Sequence, residues 1–148
     1  MTLHIVKLCV GISTIDELAD WQKRRLAQLR KRDKKARLRH VTRMTPKRKG
    51  DVLDDGSLYW VIKGYVRVRQ RILGLKETRT RDGTRACAIE LSPKLVKTRL
   101  APWRPFQGWR YLDPADAPPD LPKLPKGRKG DDELPAKLAA ELRELGLL

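Results

Sequence analysis

Gly56-Ser-Leu-Tyr-Trp-Val-Ile-Lys-Gly-Tyr-Val-Arg-Val-Arg-Gln-Arg-Ile72 is the stretch on which the fold turns. Read with a period of two, Leu58, Trp60, Ile62, Gly64, Val66, Val68, Gln70 and Ile72 fall on one side. Tyr59, Val61, Lys63, Tyr65, Arg67, Arg69 and Arg71 fall on the other. Successive side chains of a β-strand point to opposite faces, whereas a helix would spread both sets around its circumference. The stretch therefore reads as strand, with one apolar face and one that turns basic from Lys63 onward. Fully extended it would span roughly 50 Å at about 3.3 Å per residue. That is too long for one straight strand in a small domain, so Gly64 is expected to bend it or carry a bulge.

The chain has 148 residues, enough for one domain with its own core. It carries 34 Lys and Arg against 18 Asp and Glu, a net charge of +16. Such an excess is the electrostatic footprint of a nucleic-acid partner. Cys9 and Cys87 stand alone in apolar runs, with no CxxC pair and no His pair. They read as free thiols in a reducing cytoplasm, and neither a metal nor another cofactor is expected. No apolar run reaches the about 18 residues that a membrane span needs, so no membrane partner is expected.

Leu3 to Val10 reads as a strand buried on both faces and ended by Gly11. Ser13 and Thr14 offer N-caps, with Asp16 and Glu17 at capping-box spacing, before a helix expected from about Thr14 to Lys31 or beyond. Its apolar stripe is Ile15, Leu18, Ala19, Leu26 and Leu29, with Gln22 in line and Trp21 beside it. Residues 30–39 are the densest positive segment, either a helix extension or a basic loop. They read as a solvated helix end with linker, or as a non-specific phosphate contact that competes with the strand face. Short elements are expected at His40–Met44 (strand) and Asp51–Leu53 (helical turn). Asp82-Gly83 between β-rich segments predicts a hairpin with a type I′ turn, returning through Arg85 to Leu91. Ser92 to Val96 reads as a short turn or helix, residues 97–107 as an edge segment or loop, and Gly108 to Leu112 as the last strand.

The chain is thus expected to be α+β, a strongly bent mixed sheet or small barrel with one long N-terminal helix and a C-terminal helix. The core domain spans 1–112 and a Pro-rich linker 113–132. A helix at 133–148 then docks Leu134, Leu138, Leu142 and Leu145 on the core, or on a partner.

Several motifs resemble those of an alphaproteobacterial family described as domain of unknown function 1489. They are Leu3 to Gly11, His40-Val-Thr-Arg-Met44, Gly56 to Gly64, Arg69-Gln-Arg-Ile72 and Arg104-Pro-Phe-Gln-Gly-Trp-Arg-Tyr-Leu112. This resemblance covers nearly the whole chain and implies no particular activity. A weaker architectural likeness is to PUA-like barrels, including ASCH and EVE domains, many of which bind RNA or modified bases.

Two sets of residues are candidate nucleic-acid contacts. Lys63, Arg67, Arg69 and Arg71 would form a ladder of charge matched to phosphates, with Tyr59 and Tyr65 to stack on unpaired bases. Arg104, Phe106, Gln107, Trp109, Arg110 and Tyr111 alternate guanidinium and aromatic groups around an amide, which suits base recognition. As a plain structural alternative, Phe106 and Trp109 would simply close the core. A nucleophile could be sought in Cys9, Cys87 or Ser57, with His4 or His40 as base. No carboxylate is spaced to orient either histidine, so no catalytic residue is assigned. The expected function is RNA binding without catalysis, through the basic, Tyr-bearing strand face. The alternatives are an enzyme or sensor with a nucleotide-like ligand near Trp109, and a scaffold that uses its C-terminal leucines.

Overall fold

A computed structural model describes residues 2–121. The expected helix at 133–148, its leucine face and the linker beyond Leu121 lie outside the described residues. The elements run β1 (His4–Leu8), α1 (Ile15–Arg32), β2 (Leu38–Thr42), α2 (Lys49–Leu53), β3 (Ser57–Ile62), β4 (Tyr65–Arg79), β5 (Arg85–Leu91), β6 (Val96–Pro102) and β7 (Trp109–Leu112). The strands form one seven-stranded mixed sheet in the order β2-β5-β4-β3-β1-β7, with β6 also on β4. The fold is α+β. The sheet is open rather than a barrel, since no pairing among the described residues joins β2 to β7.

The opening stretch is two strands, not one. Lys63 and Gly64 have φ of 49° and 81°, and Ile62 pairs with Tyr65 across them. Positive φ at both central residues is the type I′ geometry whose twist matches a two-residue hairpin. Gly64 is therefore a turn residue and not the bend of a continuous strand. The alternation misses this because the turn exchanges the two parities, Val66 joining the face of Val61, and the extra residue at Arg67 restores them from Val68 onward.

β4 takes the role of the long strand, with 15 residues. Its first half pairs with β3 on one edge and β6 on the other, and its second half pairs with β5. Register shifts mark two irregularities. One leaves Arg67 as an extra residue between Val66 and Val68, which pair with Val61 and Trp60. The other lies between Ile72 and Gly74 against β5. The break in the long strand thus falls at Leu73-Gly74, where a side chain at 74 would strike the Glu90 carboxylate.

The Asp82-Gly83 hairpin stands where expected, with Arg79 paired to Arg85, but its turn is different. Thr80 N–H donates to Thr84 O at 2.9 Å, so the loop is longer than two residues, and only Gly83 has a positive φ. The Asp82 carboxylate accepts from Thr80 Oγ1 and Thr84 N. A side-chain turn replaces the type I′ backbone because Asp82 caps the loop itself. Of the two alternatives at 97–107, edge segment or loop, the first part is an edge strand, since β6 (Val96–Pro102) takes the free edge of β4.

The sheet buries apolar residues on both faces. On one, Ile5, Leu58, Trp60, Ile62, Val68, Ile72, Ile89 and Leu91 pack with Leu18 of α1. On the other, Val6, Tyr59, Val61, Val66 and Leu112 pack beneath Trp103, Phe106 and Ala117. β3 is accordingly buried along its whole length. α1 begins with a reciprocal cap, since Glu17 N–H donates to Thr14 Oγ1 and the Glu17 carboxylate accepts from Ser13 N. Its stripe is pinned by Gln22, which exchanges two 2.8 Å hydrogen bonds with the Gln70 amide. Beyond β7, Arg99 N donates to Pro119 O and Leu121 N to Lys97 O, both at 2.9 Å. The first residues of the Pro-rich segment are therefore laid along β6.

Candidate nucleic-acid interface and ligand cavity

Four strand-face cations occupy different settings. Lys63 sits exposed in the hairpin turn. Arg67 Nε donates to Ile62 O at 2.7 Å and its guanidinium lies 5.5 Å from the Tyr65 ring centre. Arg69 holds Asp120 through two 2.7 Å hydrogen bonds and also donates to Ser57 Oγ at 3.0 Å. Arg71 pairs with Asp55 at 3.0 Å. Three of the four charges thus have intramolecular partners, and the bulge at Arg67 breaks their line. Tyr59 is buried and unsuited to stacking. Tyr65 is half-buried.

The second candidate set divides as well. Trp109 is 5% exposed and its Nε1 donates to Met44 O at 2.8 Å, which makes it a core aromatic. Arg110 lies 5.5 Å from the Phe106 ring centre and donates to the Gln107 and Trp109 carbonyls. Arg104 is exposed.

Two concave sites lie elsewhere and share Arg39. The first is an open cavity of about 440 Å³ between the start of α1 and the ends of β1 and β2. Lys7, Cys9, Trp21, Gln22, His40 and Trp60 line it, with Val10 and Val41 exposed at its mouth. Lys7 pairs with both Trp60 and Trp109, so these three side chains share the sheet face that α1 covers. The second is a groove of about 740 Å³ lined by Arg25, Lys31, Arg32, Lys35, Arg37 and Arg39, with Asp33 and Glu90.

Burial sets the chemistry of the cavity. His40 is pushed down to about 4, with nearby Lys7 adding to the effect, so its imidazole is neutral at pH 7. Its Nε2 is buried and has no hydrogen-bond partner among the described residues. Its ring meets Trp60 edge-on at 5.1 Å. The Lys7 ammonium is lowered by burial and the Cys9 thiol is raised to about 11 by it. Cys9 is held as the thiol, a poor nucleophile.

A family model described as protein of unknown function (DUF1489) matches residues 5–148. The chain belongs to the DUF1489 family. No curated protein and no solved structure matches it.

In this DUF1489 chain the remaining nucleophile candidates are engaged in structural bonds. His4 Nδ1 accepts from Ser57 N at 3.0 Å, and Ser57 Oγ accepts from Arg69. His4 Nδ1 thus takes the Ser57 backbone N–H, and among the described residues no hydrogen bond runs from the Ser57 hydroxyl to a base. Cys87 is buried and its thiol is raised by burial. The sequence alone places neither Lys7 nor Trp21 at a concave site, and holds Arg39 only as part of the 30–39 segment. Lys7 reads as an interruption of an apolar strand, and Arg39 as one charge in a dense basic run. Trp21 carried a usable signal, since a large aromatic beside the apolar stripe of a helix has no core position.

Proposed function

We propose that this protein binds single-stranded RNA without catalysing a reaction on it. The observation that carries this reading is the groove whose rim brings six cations of α1, the following loop and β2 together. Among the described residues, Lys31, Arg32 and Lys35 form no ion pair, and Arg37 reaches Glu90 only at 3.7 Å. Charges without partners among the described residues are available to phosphates, whereas Arg69 and Arg71 must first leave their aspartates. The principal contact is therefore assigned to the α1 end and the β2 approach. Lys63, Tyr65, Arg67, Arg69, Arg71, Arg104 and Arg110 serve as a second, weaker surface. Trp109, buried in the core, supports the fold rather than the ligand. A single strand is favoured over a duplex because half-exposed Trp21 offers a stacking plane that only an unpaired base can use.

The test is salt-dependent binding of a fluorescent single-stranded RNA to the full chain. Lys31, Arg32 and Lys35 changed together to Ala should flatten the slope of log K against log[salt] by about 2, at about 0.7 per lost contact. Arg67 and Arg69 changed to Ala should flatten it less. The opposite order would return the main contact to the strand face. No measurable RNA binding by the unaltered chain would refute the proposal.

A further inference from the structure

We propose that the cavity between α1 and the ends of β1 and β2 receives one unstacked base, stacked on Trp21 and hydrogen-bonded at His40 Nε2. This rests on the RNA reading, because the base is taken to belong to the strand held in the adjoining groove. Four observations on the cavity converge. Trp21 lines it and is 48% exposed, although a tryptophan on a helix gains most by burial. His40 lines it, and the buried Nε2 has no partner among the described residues, a cost that a ligand would remove once a small turn of the ring brings Nε2 to the cavity. Lys7 adds a half-buried ammonium able to donate to a base carbonyl or an adjacent phosphate. Arg39 lines both the cavity and the groove, so a strand on the groove passes the cavity mouth.

The chemistry selects a planar heterocycle. An apolar ligand would leave His40 Nε2 and Lys7 without partners, and a simple anion would leave the indole uncovered. The volume of about 440 Å³ lies within the about 300–1,000 Å³ of small-molecule sites. Neutral His40 can present Nε2 as donor or acceptor according to its tautomer, which suits the mixed edge of a base.

The test uses the full chain with the four single-stranded homopolymer RNAs, and with nucleoside monophosphates. Trp21→Ala should weaken RNA binding at least about fivefold, as loss of one stacked base does, while the salt slope stays that of the unaltered chain. Trp21→Phe should restore most of the affinity. His40→Leu should narrow the spread of affinities among the four homopolymers. RNA binding that Trp21→Ala leaves unchanged would overturn the inference while the RNA reading stands. An unchanged spread in His40→Leu would overturn the hydrogen-bonding role. If the chain binds no RNA, the strand is refuted and nucleoside monophosphates decide the base site. A shift of the Trp21 indole resonance that ribose 5-phosphate does not reproduce upholds it, and no shift overturns it.

Discussion

The Arg69 guanidinium grips the Asp120 carboxylate through two hydrogen bonds of 2.7 Å each, Nε to Oδ1 and Nη2 to Oδ2. The arginine comes from β4, and the aspartate from the segment after β7 that lies along β6. A residue expected to face phosphate therefore holds the chain to itself. The Asp120 carboxyl is kept below its ordinary value chiefly by the Arg69 hydrogen bond.

That pair makes the first prediction. Asp120→Asn should cost about 1 kcal/mol, a modest figure because both side chains are partly exposed and screened by solvent. Since the folded pKa is lowered, the stabilisation is present above the ordinary value of 3.8 and is lost as pH falls through the lowered one. Urea midpoints at pH 7 and at pH 3 check this. The gap between variant and unaltered chain should shrink at the lower pH. The same variant frees Arg69, so its RNA affinity should rise if the strand face contributes.

Gln70 anchors the second. Its Oε1 accepts from Gln22 Nε2 and Trp60 Nε1, each at 2.8 Å, and its Nε2 donates to Gln22 Oε1 and to Ser92 O. Gln70→Leu strands these buried groups together and should cost on the order of 3 kcal/mol. The double variant Gln22→Leu/Gln70→Leu should recover part of that loss, because both amides leave at once. Chemical denaturation of the two single variants and the double closes the cycle. Strictly additive costs would mean that the amide pair contributes no coupling.

Gly56 gives a steric prediction. A Cβ there would strike the carbonyl oxygens of Val52 and Leu3, both backbone atoms that cannot swing aside. Gly56→Ala should therefore destabilise by roughly 2 kcal/mol or more, where an ordinary exposed glycine would tolerate the change. A thermal midpoint equal to that of the unaltered chain would be incompatible with this packing of α2 against β1.

His40 sets a pH dependence. Its folded pKa of about 4 lies below the ordinary 6.5, so the fold favours the neutral ring. The unfolded chain takes up the proton first as pH falls. Stability should be full above pH 6.5, decline between 6.5 and 4, and stop falling on this account below 4. The total is at most on the order of 3 to 4 kcal/mol at roughly 1.4 per unit. His4, also lowered by burial, titrates in the same direction. His40→Leu should flatten the decline without abolishing it. An identical pH profile in that variant would place the titration elsewhere.

Local pattern carried much of the fold. Ser13 and Thr14 with Asp16 and Glu17 marked the helix start because a capping box is satisfied within four residues, and the structure chose Thr14 and Glu17. Asp82-Gly83 marked a hairpin because positive φ at glycine is a local property. The alternation of Leu58, Trp60 and Ile62 identified a strand for the same reason. Family membership was also legible, since its motifs lie along the primary sequence.

Tertiary structure decided what each strand residue faces. Whether Lys63-Gly64 bends a strand or closes a hairpin depends on Ile62 meeting Tyr65, a pairing that periodicity does not encode. Whether Arg69 meets solvent or Asp120 depends on a chain segment 51 residues away. The cavity is the clearest case. Lys7, Trp21 and His40 come from β1, α1 and β2, and no spacing rule links them. They converge only because β1 and β2 lie in one sheet that α1 covers, and burial there leaves His40 Nε2 without a partner among the described residues.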